Sequence, residues 1–313
     1  MRRVVSGLRA ATMGQPLQTG WSMPGAAWDV VRGLAAHMDV ALAMTARSVR
    51  GPLECPLVVD HVDALSRNLA ARAQGTEPFP VRWLMALESR LMADWEHRLA
   101  RLSARQIVTS ADHARFLPSS PPIAVIPIAW SGTVFREPRN HARAYDAIVT
   151  GDMRYPPNRE AALIFAKEIL PQVRERRPGT TAIVVGRSAA KLSLPSVDVA
   201  SDVPEISPYL RNARVAVVPL FRGPAGSPYK VLEAVANGAA LVTVAWAADC
   251  FGLPARTANT VEEFADEIVS LLENESLRRK LVAEAIPVGE RHSIAAIGER
   301  VEAVLLEALT DHS

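Results

Sequence analysis

The chain has 313 residues, 49% of them hydrophobic, with 35 Lys plus Arg against 33 Asp plus Glu. That length accommodates two domains with filled cores, and a net charge of +2 is too small to mark a nucleic-acid binder. Cys55 and Cys250 are too few and too far apart for a disulfide framework or a zinc site, the first apolar run is broken at Arg9, and no stretch reaches ~18 apolar residues; these features predict a cytoplasmic protein with free thiols.

In chain order, Pro56 to Asp60 reads as a buried strand. Val81 to Leu102 reads as a long helix, with Leu84, Leu87, Leu91, Trp95 and Leu99 at helical spacing. Gln106 to Ser110 and Ile123 to Ile126 read as two further strands. Ser131 to Ala144, polar and aperiodic with Gly132 and Pro138, reads as a linker. Beyond it the pattern sharpens. Strands are expected at Ala147–Gly151, Ala182–Gly186, Val215–Pro219 and Ala240–Val244. Helices are expected at Glu160–Val173, Ser207–Asn212, Tyr229–Asn237, Val261–Leu272 and Ser276–Ala285. Strands alternating with helices form parallel sheets through right-handed crossovers, so the expected architecture is α/β, two doubly wound units.

Ligands of such sheets bind beyond the carboxyl ends of the strands. Three loops stand there: Gly151 to Asn158 with Arg154, Gly186-Arg187, and Phe221 to Pro228 with Arg222, Gly223 and Gly226. The glycines permit close approach of a ligand to the backbone. A helix beginning near Pro228 presents free N–H groups and a positive dipole end to an anion. Lys230 adds a full charge, and Glu233, one turn on, suits ribose hydroxyls. An ordinary glycine-rich loop with solvated Lys and Glu is the alternative reading of the spacing alone.

The run Gly226-Ser227-Pro228-Tyr229-Lys230-Val231-Leu232-Glu233-Ala234, followed by Asn237-Gly238 and Ala240-Leu241-Val242, resembles the donor-site signature of family-4 glycosyltransferases. More narrowly, it resembles the branch with a Gly-x-Met-x-Tyr-Pro-Pro-Asn segment, which stands here at Gly151 to Asn158. Val185-Gly186-Arg187, Val203-Pro204-Glu205 with Tyr209-Leu210, and Val261-Glu262-Glu263-Phe264 extend the likeness over roughly residues 145 to 295. Asp60-His61-Val62-Asp63-Ala64-Leu65-Ser66 and the helix after it resemble the acceptor half of the same branch.

The resemblance implies a GT-B fold, two Rossmann-like domains facing across a cleft. The expected division is an acceptor-side domain over 1–137, a nucleotide-sugar domain over 138–290, and a C-terminal helix over 291–313 that packs back on the first domain. It implies transfer of a hexosyl-type group from a nucleotide-diphosphate sugar, UDP favoured, with retention of configuration and without metal or resident cofactor. Glu233 would bind ribose, and Gly226, Ser227, Lys230 and Arg187 would lie near the diphosphate; Gly151, Arg154, Gly186 and Arg222 complete the expected donor site. Lys230 and Arg187 are the expected catalytic groups. His61, between Asp60 and Asp63 after a strand end, is a third candidate, as an acid–base group facing the cleft, against the commoner packed or capping histidine. No Asp-x-Asp triplet or metal-ligand histidine spacing is present.

The sequence also departs from the family pattern. Ala225 replaces a second glutamate that contacts the donor sugar, Asp152 and Pro157 replace an Arg and a Lys, and Ile128-Ala129-Trp130 replaces an Asn-Gly step. Read from Met1, the opening strand, glycine-rich turn and further βαβ unit are missing. The acceptor-side domain is therefore expected to be incomplete, finished by an upstream extension or a partner chain. The alternative function is a catalytically silent accessory or nucleotide-binding protein on the same scaffold. The acceptor stays open among a lipid-linked glycan, a polysaccharide precursor and a small natural product. Arg82, Arg90, Arg98 and Arg101 with Trp83 and Trp95 form either a solvated outer helix face, the favoured reading, or a peripheral membrane contact.

Overall fold

A computed structural model describes residues 2–75, 78–132, 144–221 and 227–311. The chain forms two compact units: Met1–Ile128, Ala225–Ser227 and Ile297–Ser313 make the first, and Ala129–Pro224 with Pro228–Ala296 the second.

The first unit opens with helices α1 (Arg2–Thr12), α2 (Leu17–Ser22) and α3 (Gly25–Ala35). Its sheet has four parallel strands in the order β1 (Ala41–Met44), β2 (Leu57–Asp60), β3 (Arg105–Val108) and β4 (Ile123–Val125). Between β2 and β3 run α4 (Leu65–Ala73) and α5 (Phe79–Leu102); α6 (Ala111–Ala114) precedes β4. Leu57 and Val59 of β2 pack with Leu69 of α4 and Met92, Trp95 and Leu99 of α5. Two buried glutamates of α5 do local work. Glu88 accepts the N–H groups of Leu17 and Gln18 and so satisfies the start of α2, while Glu96 accepts from the N–H and hydroxyl of Ser66 in α4.

The second unit is a six-stranded parallel sheet of β5 (Tyr145–Thr150), β6 (Ala182–Gly186), β7 (Asp198–Ser201), β8 (Ala213–Val218), β9 (Ala240–Thr243) and β10 (Arg256–Thr257). Its spatial order is β10-β9-β8-β5-β6-β7. The central strands are buried along their length, which is why they read as unbroken apolar runs. α7 (Pro156–Ile164) continues through a π turn (Phe165–Ile169) into α8 (Leu170–Arg176). The π turn lies just ahead of Pro171, which has no N–H to offer and crowds the carbonyl four residues back. α9 (Ser207–Arg211), α10 (Tyr229–Ala236), α11 (Ala245–Asp249), α12 (Val261–Glu273) and α13 (Glu275–Arg291) complete the unit. α14 (Ile294–Thr310) ends the chain; within the first unit Glu307 and Asp311 pair with Arg105 of β3.

Several elements differ from expectation. The helix expected from Glu160 starts at Pro156, because prolines suit a first turn whose N–H groups are unbonded anyway. The helix expected to end at Ala285 continues to Arg291 past Pro287. Most of the expected linker, residues 133–143, lies outside the described residues. No helix among the described residues is long and apolar enough to cross a membrane.

Candidate functional site

In the second sheet, successive crossovers run outward from β5 through β6 to β7 on one side and from β8 through β9 to β10 on the other. The direction of winding therefore reverses between β5 and β8. That is the switch point, where the loops at the carboxyl ends diverge and leave a crevice. The loop after β5 leads into α7, and the loop after β8 into α10, so two helix N-termini open there.

The backbone at this end is tightly packed. Gly151 donates its N–H to the carbonyl of Val185, and Met153 donates to that of Arg187. Gly186 has φ +147°, and a Cβ built on it would stand 1.9 Å from the Gly151 oxygen. Gly151 has φ +153°, and its Cβ would meet the Asn158 amide at 2.8 Å. Both positions therefore require glycine. Met153, 3% exposed, anchors the loop in the core.

Over this floor Lys230, in the first turn of α10, donates from Nζ to Oδ1 of Asn158 in the first turn of α7. The Asn158 amide in turn donates to the Asp152 carbonyl at 3.1 Å. Burial pulls the Lys230 ammonium down to about 8, partly opposed by the charge of Glu233. The same burial pushes the Glu233 carboxyl up, opposed by Lys230. Both side chains are half-buried. An ammonium has three donors, and Asn158 takes one.

Arg154 is held by Asp152 through contacts of 2.9, 3.1 and 2.5 Å, and Arg187 stands 3.7 Å from the same carboxylate. The Arg154 hydrogen bonds are the main reason that the half-buried Asp152 titrates at about 2. Arg187 is exposed at the rim. The structure thus brings Gly151, Gly186, Arg187, Lys230 and Glu233 to one end of one sheet and engages Arg154 with Asp152. Asn158 and Asp152 are additions: the sequence reading placed them in the motif without a role. A cleft of about 590 Å³ lined by Tyr145, Pro204, Glu205 and Tyr209 lies instead toward the amino ends of β5 and β8.

Residues 144–274 match the family described as Glycosyl transferases group 1, which is less than half of the chain. No curated protein is detectably similar in sequence. Among solved structures, the pneumococcal O-GlcNAc transferase GtfA in complex with UDP and GlcNAc superposes with a TM-score of 0.63 at 12% identity, over 90% of this chain and 60% of that one. Anabaena HepE in complex with UDP-glucose gives 0.62 at 14% identity, over 89% and 81%. Sucrose-phosphate synthase from Thermosynechococcus elongatus gives 0.67 at 15% identity, over 91% and 77%.

The fold is GT-B. The chain spans about 60% of the length of GtfA, the shortest coverage of these three.

Other expected residues of this GT-B chain are placed differently. Arg222 and Gly226 lie outside the described residues. Ser227 groups with the first unit, where its hydroxyl is 2.8 Å from that of Thr109. His61 is corrected: it is fully buried and does not present an exposed acid–base group. Gln106 donates both amide hydrogens to the carbonyls of Pro118 and Pro121, which leaves its Oε1 to accept from Nε2–H of His61 at 3.1 Å. Nδ1 then carries a lone pair with no partner, and burial lowers the ring pKa to about 4, so His61 is neutral at pH 7. Trp95 and Arg98 also leave the outer face. Trp95 is 3% exposed with Nε1 donating to the Ala46 carbonyl, and Arg98 lies over its ring and bonds the Gly14 carbonyl.

Proposed function

We propose that this GT-B chain is a glycosyltransferase that takes a nucleotide-diphosphate sugar, with UDP as the favoured nucleotide, and passes the glycosyl group to an acceptor with retention and without a metal. The observation that carries the reading is the switch-point constellation. The uncapped N-terminus of α10 stands with a half-buried Lys230 and with Asn158 of α7 over a backbone floor that admits only Gly151 and Gly186. Such a place suits an anionic group. The family match over residues 144–274 and the UDP-bound structures of GtfA and HepE support the choice of donor.

In the reaction, the bond from the anomeric carbon to the diphosphate oxygen breaks and negative charge grows on the leaving group. Lys230, Arg187 and the α10 N-terminus offset that charge without reorganising. Glu233 would accept hydrogen bonds from ribose. Retention is an expectation from the family resemblance.

A second reading, a catalytically silent nucleotide-binding or accessory protein, rests on Ala225 at the position where a glutamate contacts the donor sugar in most of the resembled family. Calorimetry with UDP, GDP and TDP, run beside UDP release from a panel of UDP-sugars with water or acceptors, separates the two. Binding with turnover supports the transferase. Binding without turnover supports the silent reading, and no binding of any nucleotide sinks both.

A further inference from the structure

β1 ends the four-stranded sheet of the first unit. Every second residue bonds it to β2: the Ala41 N–H donates to the Pro56 carbonyl, and the Thr45 N–H to the Asp60 carbonyl. In a parallel ladder the residues between turn their N–H and C=O groups the other way, so those of Leu42 and Met44 face the open edge. None of these four groups has a partner among the described residues.

The side chains around that edge are apolar and uncovered. Leu42 and Met44 share one face of β1 and are 43% and 61% exposed. Ala41 and Ala43 face the other way, against the cluster of Trp28, Leu57 and Val59, and α3 covers that side through Trp28 and Val31. One flank of α3, with Asp29, Arg32 and Gly33, shares a cavity with Pro52, Leu53 and Glu54 on the way into β2. Val30 and Leu34, 64% and 58% exposed, stand on the opposite flank, toward the open side of β1. Val30, Leu34, Leu42 and Met44 expose on the order of 400 Å² of apolar surface, most of the apolar share of the ~800 Å² that each partner buries in a standard interface. β1 has no charge, proline or bulge, the features that keep an edge strand single.

We propose that two copies of the chain pair edge to edge through β1, antiparallel about a two-fold axis at Ala43. With Ala43 on the axis, Leu42 stands opposite Met44 of the second copy, and Met44 opposite its Leu42. These are the residues whose N–H and C=O groups are free, so each pair exchanges two hydrogen bonds and the two sheets join into one. Leu42 and Met44 of both copies then meet on one face, and the Val30–Leu34 flanks of α3 approach each other on the opposite face. The edge favours a second copy because free groups two residues apart are self-complementary about the residue between them. Charge agrees. The axis sets the start of one β1 beside the end of the other, which brings exposed Asp39 toward Arg47 of the second copy, whose guanidinium has one N–H engaged by Gln18. This edge belongs to the first unit and is independent of the donor reading.

The test is sedimentation equilibrium of the full chain across the micromolar range, where a monomer–dimer equilibrium is expected. Leu42→Lys and Met44→Glu should each raise the dimer dissociation constant about tenfold or more, because each sets a charge against an apolar side chain in both cross-strand pairs. The double variant, Leu42→Lys with Met44→Glu, places Lys opposite Glu in both pairs and should dimerise at least about fivefold more tightly than either single variant. Both side chains are exposed, so the far-ultraviolet circular dichroism of all three variants should match that of the parent, which controls for folding. A parent chain that stays monomeric, a dimer that either single variant leaves intact, or a double variant no tighter than the single ones overturns the proposal. So does a monomer whose Leu42 and Met44 amides resist hydrogen exchange, the result expected if another segment of the same chain lay on the edge.

Discussion

Lys230 donates a hydrogen bond to Asn158 across the switch point of the second sheet, joining the first turn of α10 to the first turn of α7. Neither helix start is closed by a side-chain cap: Pro228 and Tyr155 stand at the cap positions and accept no such bond. At α10 this leaves first-turn N–H groups for an anion, whereas α7 begins with Pro156 and Pro157, which have none, and its next two N–H groups bond the Tyr155 carbonyl. Lys230→Ala should weaken UDP binding by about 1.5–3 kcal/mol, the range for hydrogen bonds to charged groups. Asn158→Ala, which frees the ammonium but does not remove it, should cost less. A double-mutant cycle read by calorimetry should show coupling between the two; strict additivity would mean that Asn158 does not position Lys230.

The burial of Lys230 sets a pH dependence for donor binding. Its ammonium titrates at about 8 in the folded chain against the ordinary lysine value of 10.5. Above about 8 the unliganded protein must take up a proton to present the charge, so UDP affinity should fall toward tenfold per pH unit. The sign for stability is opposite. Between about 8 and 10.5 the unfolded chain holds more protons than the folded one, so this group's contribution rises with pH across that window. Lys230→Met should remove both effects. A UDP affinity that is flat from pH 7 to 9.5 in the parent would refute the assignment.

Glu233 tests the ribose side of the same site. Glu233→Ala should cost about 1–3 kcal/mol in UDP binding. The loss should largely vanish when the probe is inorganic pyrophosphate, which has no ribose. Equal losses for both probes would show that the carboxylate acts through Lys230 instead.

Gly186 tests the backbone floor. Gly186→Ala would place a Cβ 1.9 Å from the Gly151 oxygen at φ +147°. A backbone atom cannot swing aside as a side-chain tip does, so the loop must shift, at about 1–3 kcal/mol or more. Gly252 is the control: its φ is +60° but nothing lies within 4 Å of the added Cβ. Gly252→Ala should cost only about 1 kcal/mol. Urea unfolding of the two variants compares them, and equal midpoints would show that Gly186 is not pinned.

The central strands of the second unit were legible because strands buried on both faces leave unbroken apolar runs, as Val215 to Val218 does. The edges were not. β7 begins with exposed Asp198 and Val199, and β1 alternates half-buried alanines with exposed Leu42 and Met44, so neither shows such a run. In α5 the period predicted a helix, but Leu87 of the apolar series is exposed while Glu88 and Glu96 are buried. The partners that make those carboxylates tolerable, the start of α2 and Ser66, come from distant turns of the chain that local spacing does not reveal. The donor glycines, Lys230 and Glu233 were readable as a motif. The bond of Lys230 to a residue 72 positions away was not, because it depends on the strand order.

His61 yields a prediction about the first unit. Gln106 fixes its tautomer with the proton on Nε2, and Nδ1 faces no partner. A second proton would therefore sit on a buried nitrogen with no acceptor, which is why the ring titrates at about 4 and not at the ordinary histidine value of 6.5. The unfolded chain takes up a proton as pH falls through 6.5 and the folded chain does not until about 4. Stability from this group is complete above 6.5 and is lost on acidification across that window, by about 1–3 kcal/mol. His61→Gln keeps a side-chain donor near Gln106 but does not titrate. It should be less stable than the parent at pH 7 and should lose less stability between pH 7 and 4.5. Parallel urea titrations at the two pH values read the difference. Equal acid losses in parent and variant would mean that the ring is protonated in the folded chain, and the buried, neutral placement of His61 would then be wrong.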